Sequence, residues 1–168
     1  SIVTTGAETG YYVDVFRSRK EKGGDKMHDY FYHNLGQTLT LTAADGSDLN
    51  LQPTEELAFA GAHLYAYSYL YDKKVAATNK DVKATFTIDM KDKDGDDIYM
   101  NLWMKGEPDR EVFTALAPMT EGLSRTPNMP YNIKEQPTLT FVARQHGEAW
   151  NRPFVSIYEP STKKEPSA

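Results

Sequence analysis

Alternation of apolar and polar residues is the feature that most constrains the fold of this chain. The segment TLTLTA places Leu39, Leu41 and Ala43 on one side of an extended chain and threonines on the other. The segments VKATFTIDM (residues 82–90) and DIYMNLWM (residues 97–104) alternate in the same way. A period of two residues is typical of strands that bury one face. The sequence therefore predicts a chain built from β-strands.

Asp-Gly pairs stand beside these alternating segments. Asp45-Gly46 follows TLTLTA, and Asp94-Gly95 separates the other two segments. Asp-Gly favours a tight hairpin because both of its residues tolerate positive φ. We therefore predict a hairpin at each pair, which implies antiparallel strands.

Three further segments have strand character, and they complete the predicted architecture. They are YYVDVFRS (residues 11–18), TLTFVAR (residues 138–144) and PFVSIYE (residues 153–159). Because so many short strands need two layers to bury their apolar faces, we expect an all-β fold, an antiparallel two-sheet β-sandwich. The expected domain covers residues 1–160, and residues 161–168 are expected to form a flexible polar tail.

Only the segment PTEELAFAGAHLYAYSYL hints at a helix. Thr54 is a possible N-cap for one short helical turn over residues 57–62, followed by a strand over residues 64–71. That strand would align Tyr65, Tyr67, Tyr69 and Tyr71 on one face. Such a row is either a stacking platform for sugar rings or the ordinary wall of a sandwich, and the half-burial that tyrosine tolerates favours the wall.

Composition narrows the range of partners. The chain of 168 residues has a formal net charge of −5 and no cysteine. A nucleic-acid binder needs a basic face to displace counterions, so nucleic acid is not the expected partner. No apolar run approaches the roughly 20 residues of a membrane span, so no membrane partner is expected. With no signal peptide at its start, the chain is expected to be a piece of a longer protein.

Two segments, one acidic and one containing histidines, carry possible metal ligands, and the prediction for both is no metal. Asp92, Asp94 and Asp96 have the odd spacing of a calcium loop, but the glycine and the final glutamate are misplaced, and a hairpin already explains the segment. His28 and His33, five residues apart on a strand, would point to opposite faces. A histidine that bonds to a neighbouring strand is the favoured interpretation.

The segment RQHGEAWNRPF (residues 144–154) concentrates ionisable side chains near the end of the chain. If the preceding strand continues, Arg144, His146 and Glu148 share a face, and they would supply the charge neutraliser, base and acid of a β-elimination. The favoured alternative is a hairpin tip closed by ion pairs, with Arg144 bound to Glu148. The candidate substrate contacts are Arg144, His146, Glu148, Trp150, Arg152, Tyr67 and Tyr69.

The order of several short motifs resembles the β-sheet region of bacterial heparinase II/III-like polysaccharide lyases. The first stretch is YYVDVFRSRKEKGGDKMHDYFYHNLGQ, and its matching residues are Asp14, Phe16, Arg17, Gly23, Gly24, His28, Asp29, Tyr30 and His33. The second runs from FTALAPMTEG to FVSIYEP. The resemblance spans the chain from about Gly10 to Pro160.

The resemblance implies a C-terminal β-sandwich region that lacks the catalytic (α/α) toroid. In this family the toroid supplies the catalytic tyrosine and asparagine, and acidic polysaccharide is cleaved by β-elimination. Zinc is often bound in a part of the β region that is missing here, where a His-x-His run would stand. No catalytic residue and no cofactor are therefore carried over, and this chain alone is expected to be inactive.

Three functions follow as hypotheses. The first is a non-catalytic domain that supports the toroid of a periplasmic or secreted lyase and contacts acidic polysaccharide. The alternative is an autonomous carbohydrate-binding module, which the tyrosine row and the two tryptophans, Trp103 and Trp150, would favour. The least favoured is a self-contained hydrolase that uses His146 and Glu148.

Overall fold

The computed structural model describes residues 1–22, 24–58, 65–90, 95–120 and 135–166. Within these residues the chain forms antiparallel strands and one 3₁₀ turn (Tyr65–Tyr69). The strands are β1 (Ile2–Thr4), β2 (Gly10–Ser18), β3 (Met27–Asn34), β4 (Thr38–Ala43), β5 (Gln52–Pro53), β6 (Tyr71–Ala77), β7 (Val82–Ile88), β8 (Ile98–Met104), β9 (Arg110–Ala117), β10 (Thr138–His146) and β11 (Ala149–Thr162).

The strands form two sheets that pack face to face. Sheet A has the order β1-β2-β11-β8-β7-β4, and sheet B has the order β3-β10-β9-β6-β5. Every strand pair is antiparallel. The predicted all-β sandwich is therefore confirmed.

The alternating segments bury the faces that the sequence predicts. On β4, Leu41 and Ala43 are buried and Leu39 is partly buried, while Thr38 and Thr40 are exposed. The core between the sheets is continuous and apolar. Its buried residues are Tyr30, Leu41, Ala76, Val82, Ala84, Phe86, Leu102, Met104, Val112, Leu139, Phe141, Ala143, Ala149 and Phe154.

The predicted hairpin at Asp45-Gly46 is wrong, although the chain does turn there. The amide of Ala43 donates to the carbonyl of Ser47 at 3.0 Å, and Gly46 has a φ of +83°. Asp45 does not adopt positive φ, which a two-residue hairpin of the predicted type would require. The strand after the turn, β5, pairs with β6 in sheet B, whereas β4 pairs with β7 in sheet A. The turn therefore carries the chain between sheets.

The second predicted hairpin is confirmed in its strand pairing. β7 and β8 run antiparallel, from Val82 opposite Met104 to Ile88 opposite Ile98. The turn residues 91–94 lie outside the described part of the chain. Of the Gly23-Gly24 pair between β2 and β3, Gly24 is described and has a φ of +70°.

The segment before β6 differs from the predicted helix and strand. Residues 54–58 are not helical, and the Thr54 hydroxyl accepts a hydrogen bond from the amide of Glu56 at 3.1 Å. Residues 59–64 lie outside the described part. The tyrosines at 65–69 form the 3₁₀ turn, in which the amide of Leu70 donates to the carbonyl of Tyr67.

The last strand ends later than the sequence suggested. β11 continues through Thr162 and pairs there with Ile98 of β8, two residues beyond the expected domain boundary. After it, the amide of Lys164 donates to Asp96 at 2.6 Å, and Lys163 pairs with Asp97 at 2.9 Å.

A cluster of hydroxyl groups lies at the edge of the core, where β3 faces β2 and β11. The Tyr30 hydroxyl donates to the Asp14 carboxylate at 3.0 Å and lies within hydrogen-bond distance of the hydroxyls of Ser156 and Tyr158. Burial raises the pKa of Tyr30 and of Tyr158, and burial together with the charge of Tyr158 raises the pKa of Tyr32 to about 12. These tyrosines therefore stay protonated in the folded chain under alkaline conditions.

The free energy of unfolding is expected to fall as the pH rises from 10 toward 12. Because the folded-state pKa values are raised, the unfolded chain loses its tyrosine protons first, and stability that is complete below pH 10 is lost above it. Urea unfolding across this pH range measures the decline. Tyr32→Phe should make it shallower, whereas Tyr65→Phe, at a ring that is 63% exposed, serves as the control. An unchanged slope in Tyr32→Phe would contradict the assignment.

Candidate functional site

The outer face of sheet B is the first place where predicted site residues meet. On β10, Leu139, Phe141 and Ala143 point into the core, so the alternating residues Val142 and Arg144 point outward. Both are nevertheless buried. They are covered because the chain between β5 and β6 packs on this face through Leu57, Tyr67 and Leu70. Alternation alone would predict that these outward side chains are exposed to solvent, but the covering chain buries them.

Arg144 forms the charged centre of this site. Its Nε and Nη2 donate to the two carboxylate oxygens of Asp29, each at 2.8 Å, in a bidentate pair. Its Nη1 donates to Glu56 at 3.2 Å, and the Tyr67 hydroxyl donates to Asp29 at 2.7 Å. The hydrogen bond to Asp29 raises the pKa of Arg144, and burial raises the pKa of Tyr67. The guanidinium therefore has its charge neutralised by side chains of its own domain.

A groove of about 660 Å³ opens beside this network. Its walls are mostly apolar, and they are formed by Phe31, His33, Ala66, Tyr67, Tyr69, Leu70, Ala117 and Pro118. Phe31 and Tyr67 meet edge to face at a centroid distance of 5.2 Å. His33 hydrogen-bonds to Thr140 at 2.8 Å, as expected for a histidine bonded to a neighbouring strand, and burial lowers its pKa. This groove can accept an apolar side chain or the flat face of a sugar ring.

The tyrosine row predicted for a strand over residues 64–71 does not exist. In a 3₁₀ turn, with about three residues per turn, residues two apart do not share a face. Tyr67 packs on the sheet and bonds Asp29, whereas Tyr65 and Tyr69 are each 63% exposed. Of the two predicted contacts in this row, Tyr67 is a structural member of the Arg144 network and Tyr69 lines the groove.

His146 lies on the same face as Arg144 but has a different partner. Its Nε2 lies 2.7 Å from the Glu111 carboxylate on β9. Because the imidazole is half exposed, this pair is a surface contact.

Glu148 and Arg152 form a corner between the sheets. The Glu148 carboxylate accepts from the amides of Trp150 and Asn151 at 2.7 and 2.8 Å, and these bonds lower its pKa. Arg152 binds Asp109 at 3.3 Å and lies 3.8 Å from Glu148. The alternative pairing of Arg144 with Glu148 is therefore wrong.

The predicted hairpin tip over residues 144–154 is also wrong. β10 belongs to sheet B and β11 to sheet A, and Gly147, with a φ of +80°, lies at the crossing. The segment is a sheet-to-sheet corner, and β11 begins at Ala149 rather than at Pro153. The base and acid considered for β-elimination, His146 and Glu148, thus bind separate partners on either side of a corner.

Trp150 exposes an aromatic surface and has two cations beside it. Its ring is 40% exposed, and the guanidinium carbons of Arg19 and Arg17 lie 4.6 and 6.0 Å from its centroid. Sequence reasoning did not connect these arginines with Trp150, because they are more than 130 positions away. The only signal was the basic run RSRK (residues 17–20) at the end of β2.

The two segments considered for metal binding do not form a site in the described residues. Asp92 and Asp94 lie outside them, and Asp96 binds the amide of Lys164. His28 bonds to Ser18 and Asp25, away from His33. Among the described residues, no three histidine, aspartate or glutamate side chains are grouped to hold a metal. No helix in this part of the chain has the length and apolar character of a membrane span.

Comparison with known proteins gives one informative match. No protein family model matches the chain, and no solved structure matches it. Over 167 residues the chain is 35% identical to a protein of Formosa agariphila named Endo-acting ulvan lyase. The match includes 97% of this chain but only 19% of that protein's length. The chain is therefore homologous to a segment of a polysaccharide lyase.

Asp29→Asn is expected to destabilise the chain by about 3–5 kcal/mol, because it leaves the buried Arg144 without its main counterion. Urea unfolding measures the change. The double variant Asp29→Asn/Arg144→Met should lose less than the sum of the two single variants, since it removes both charges. Glu111→Gln, which breaks the half-exposed pair with His146, is the control and should shift stability by less than about 1 kcal/mol. Additive losses in the double variant would contradict the coupling.

Proposed function

We propose that this chain is a non-catalytic β-sandwich domain of a polysaccharide lyase, which supports a separate catalytic domain. The observation that carries the proposal is the 35% identity, over nearly the whole chain, to a segment making up 19% of a protein named as an ulvan lyase. A lyase segment of this size can serve the enzyme without holding its catalytic centre.

The ionic arrangement of the described residues supports a role without catalysis. A β-elimination needs a base at the C5 proton of the uronic acid, an acid at the leaving oxygen and a group that stabilises charge on the carboxylate, all around one sugar unit. Here the three candidates are used within the domain: Arg144 binds Asp29, His146 binds Glu111, and Glu148 binds backbone amides. Each bond would have to break before the group reached a substrate.

The finer part of the proposal is that the parent lyase is of the heparinase II/III-like type. Three of the motif residues that resemble this family, Asp14, Phe16 and Tyr30, contact one another in the structure, which supports treating them as one unit. Asp14 accepts from Tyr30, and the rings of Phe16 and Tyr30 lie 6.0 Å apart between the sheets. These contacts give the three residues a packing role between the sheets.

In this proposal the partner of the domain is the (α/α) toroid of the parent chain, which would supply the catalytic residues. The parent would act on an acidic polysaccharide in the periplasm or outside the cell. The domain itself would need no cofactor, with any zinc of the parent held in another part. These assignments rest on the resemblance and on the homology to a lyase segment.

The second candidate function, a carbohydrate-binding module, is favoured by one observation. Trp150 exposes an aromatic surface with two arginines beside it, and this combination suits an anionic sugar. The two functions are compatible, because a supporting domain can also hold the substrate.

The purified chain is expected to produce no unsaturated sugar from ulvan, because its candidate base and acid are bound to separate partners. Ultraviolet absorbance of the double bond formed by elimination measures the reaction. The ulvan lyase of Formosa agariphila on the same substrate is the positive control, and circular dichroism verifies that the chain is folded. A steady rise in absorbance with the purified chain would refute the proposal, and loss of that rise in Glu148→Gln would assign the elimination to a group of this chain.

A further inference from the structure

The outer face of sheet A carries both tryptophans of the chain. On β8, Leu102 and Met104 point into the core, so Trp103 between them points outward. On β2, Phe16 packs against the core rings, so Arg17 points outward toward Trp150. The described residues place no covering segment on this face like the one on sheet B, and apolar side chains remain open to solvent there.

Each tryptophan has a cation against its ring. Arg19 lies 4.6 Å and Arg17 6.0 Å from the centroid of Trp150, and the Lys83 ammonium lies 4.6 Å from the centroid of Trp103. A guanidinium stacked on an indole keeps its in-plane N–H donors available to an oxyanion. The Trp103 indole N–H donates to Glu159 at 3.4 Å, which holds this ring in place.

Arg17, Arg19 and Lys83 differ from Arg144 and Arg152 in their ion pairing. Arg144 and Arg152 are bound to carboxylates, whereas the ion pairs found among the described residues include neither Arg17 nor Arg19 nor Lys83. Arg17 and Arg19 lie together beside Trp150, whereas the Glu159 carboxylate lies beside Trp103 and Lys83, so the cations of this face are most concentrated at its Trp150 end.

An apolar row crosses sheet A from Val13 on β2 to Trp103 on β8. Ile157 lies between Val13 and Trp103 on neighbouring strands, and it is 37% exposed. Arg17 lies four residues from Val13 on β2, roughly 13 Å along the strand, and Trp103 lies two strands away from Val13, roughly 10 Å across the sheet. A ligand that touches both tryptophans must therefore be longer than one sugar unit.

We propose that the outer face of sheet A binds a chain of an anionic polysaccharide, with Trp150 and Trp103 stacking on sugar rings and Arg17, Arg19 and Lys83 binding their sulfate or carboxylate groups. Indole faces pack on the apolar C–H face of a pyranose, and guanidinium forks match both anions. The inference rests on the proposed function, because it gives the supporting domain of a lyase a way to hold substrate.

The test is isothermal titration calorimetry of the purified chain with ulvan and with three polymers of defined chemistry. Heparin carries sulfate and carboxylate, polygalacturonate carries only carboxylate, and dextran is neutral. Binding is expected for ulvan and for at least one of the two charged polymers but not for dextran, and it should weaken as salt is added. Whether polygalacturonate binds as well as heparin tells which anion the arginines select.

Three variants place the binding on this face. Trp150→Ala and the double variant Arg17→Gln/Arg19→Gln should each weaken binding by about tenfold or more, and Trp150→Phe should retain most of it. Lys73→Gln/Lys74→Gln on β6 changes the net charge equally on the other sheet and should have little effect. Because Arg17, Arg19 and Trp150 are exposed, the thermal midpoints of their variants should remain those of the original chain.

The outcomes that would overturn the inference are distinct from failure of the proposed function. Equal binding of dextran, tighter binding of single-stranded DNA than of any polysaccharide, or binding that the variants leave unchanged would each overturn it. So would no binding to any of the four polysaccharides. None of these outcomes affects the result of the lyase assay. In that assay, elimination by the purified chain would refute the supporting role whether or not this face binds sugar.

Discussion

The structure depends on an asymmetry between the outer faces of its two sheets. Both sheets bury their inner faces against each other, but sheet B is covered outside as well, because Leu57, Tyr67 and Leu70 pack on Phe113 and Val142. β10 is consequently buried on both faces along most of its length. The outer face of sheet A has no such cover in the described residues. The sandwich therefore has a second apolar cluster on the outside of sheet B, while the outside of sheet A is open to a partner.

The covered face explains why the most concentrated charge pair of the chain is structural. Arg144 and Asp29 lie under the covering segment, where an unpaired charge would be costly, and they satisfy each other through two bonds of 2.8 Å. Tyr67, which belongs to the covering segment itself, bonds to the same carboxylate. The network therefore fixes the cover to the sheet, and the cover in turn removes the network from water.

The sequence predicted the layers of the fold well and the connections between them poorly. Alternation identified the inward residues of β4, β7 and β8 because a strand with one buried face imposes a period of two. It missed the burial of Arg144, since the covering chain comes from another part of the sequence. The turn at Asp45-Gly46 was expected to pair consecutive strands, but local turn chemistry does not determine which sheet the next strand joins.

The candidate site was predictable only in its composition. Arg144 and Trp150 were chosen because ionisable and aromatic side chains are dense near them, yet their partners, Asp29 and Arg19, are more than a hundred positions away and depend on strand pairing. The tyrosine row failed for a different reason. A period of two in sequence gives one face only in a strand, and the residues at 65–69 form a 3₁₀ turn.

The two outer faces differ in function because the arginine on sheet B is bound to a carboxylate, whereas the arginines on sheet A are stacked on an indole. A cation that is bidentate to a buried carboxylate must lose that bond before it can bind a ligand, and the replacement of one anion by another gains little. A guanidinium stacked on an exposed indole has lost side-chain freedom without using its donors, so binding an anion there costs less ordering. Arginine is thus structural at position 144, where its partner is a buried carboxylate. At positions 17 and 19, where the partner is an exposed indole, it is available to bind a ligand.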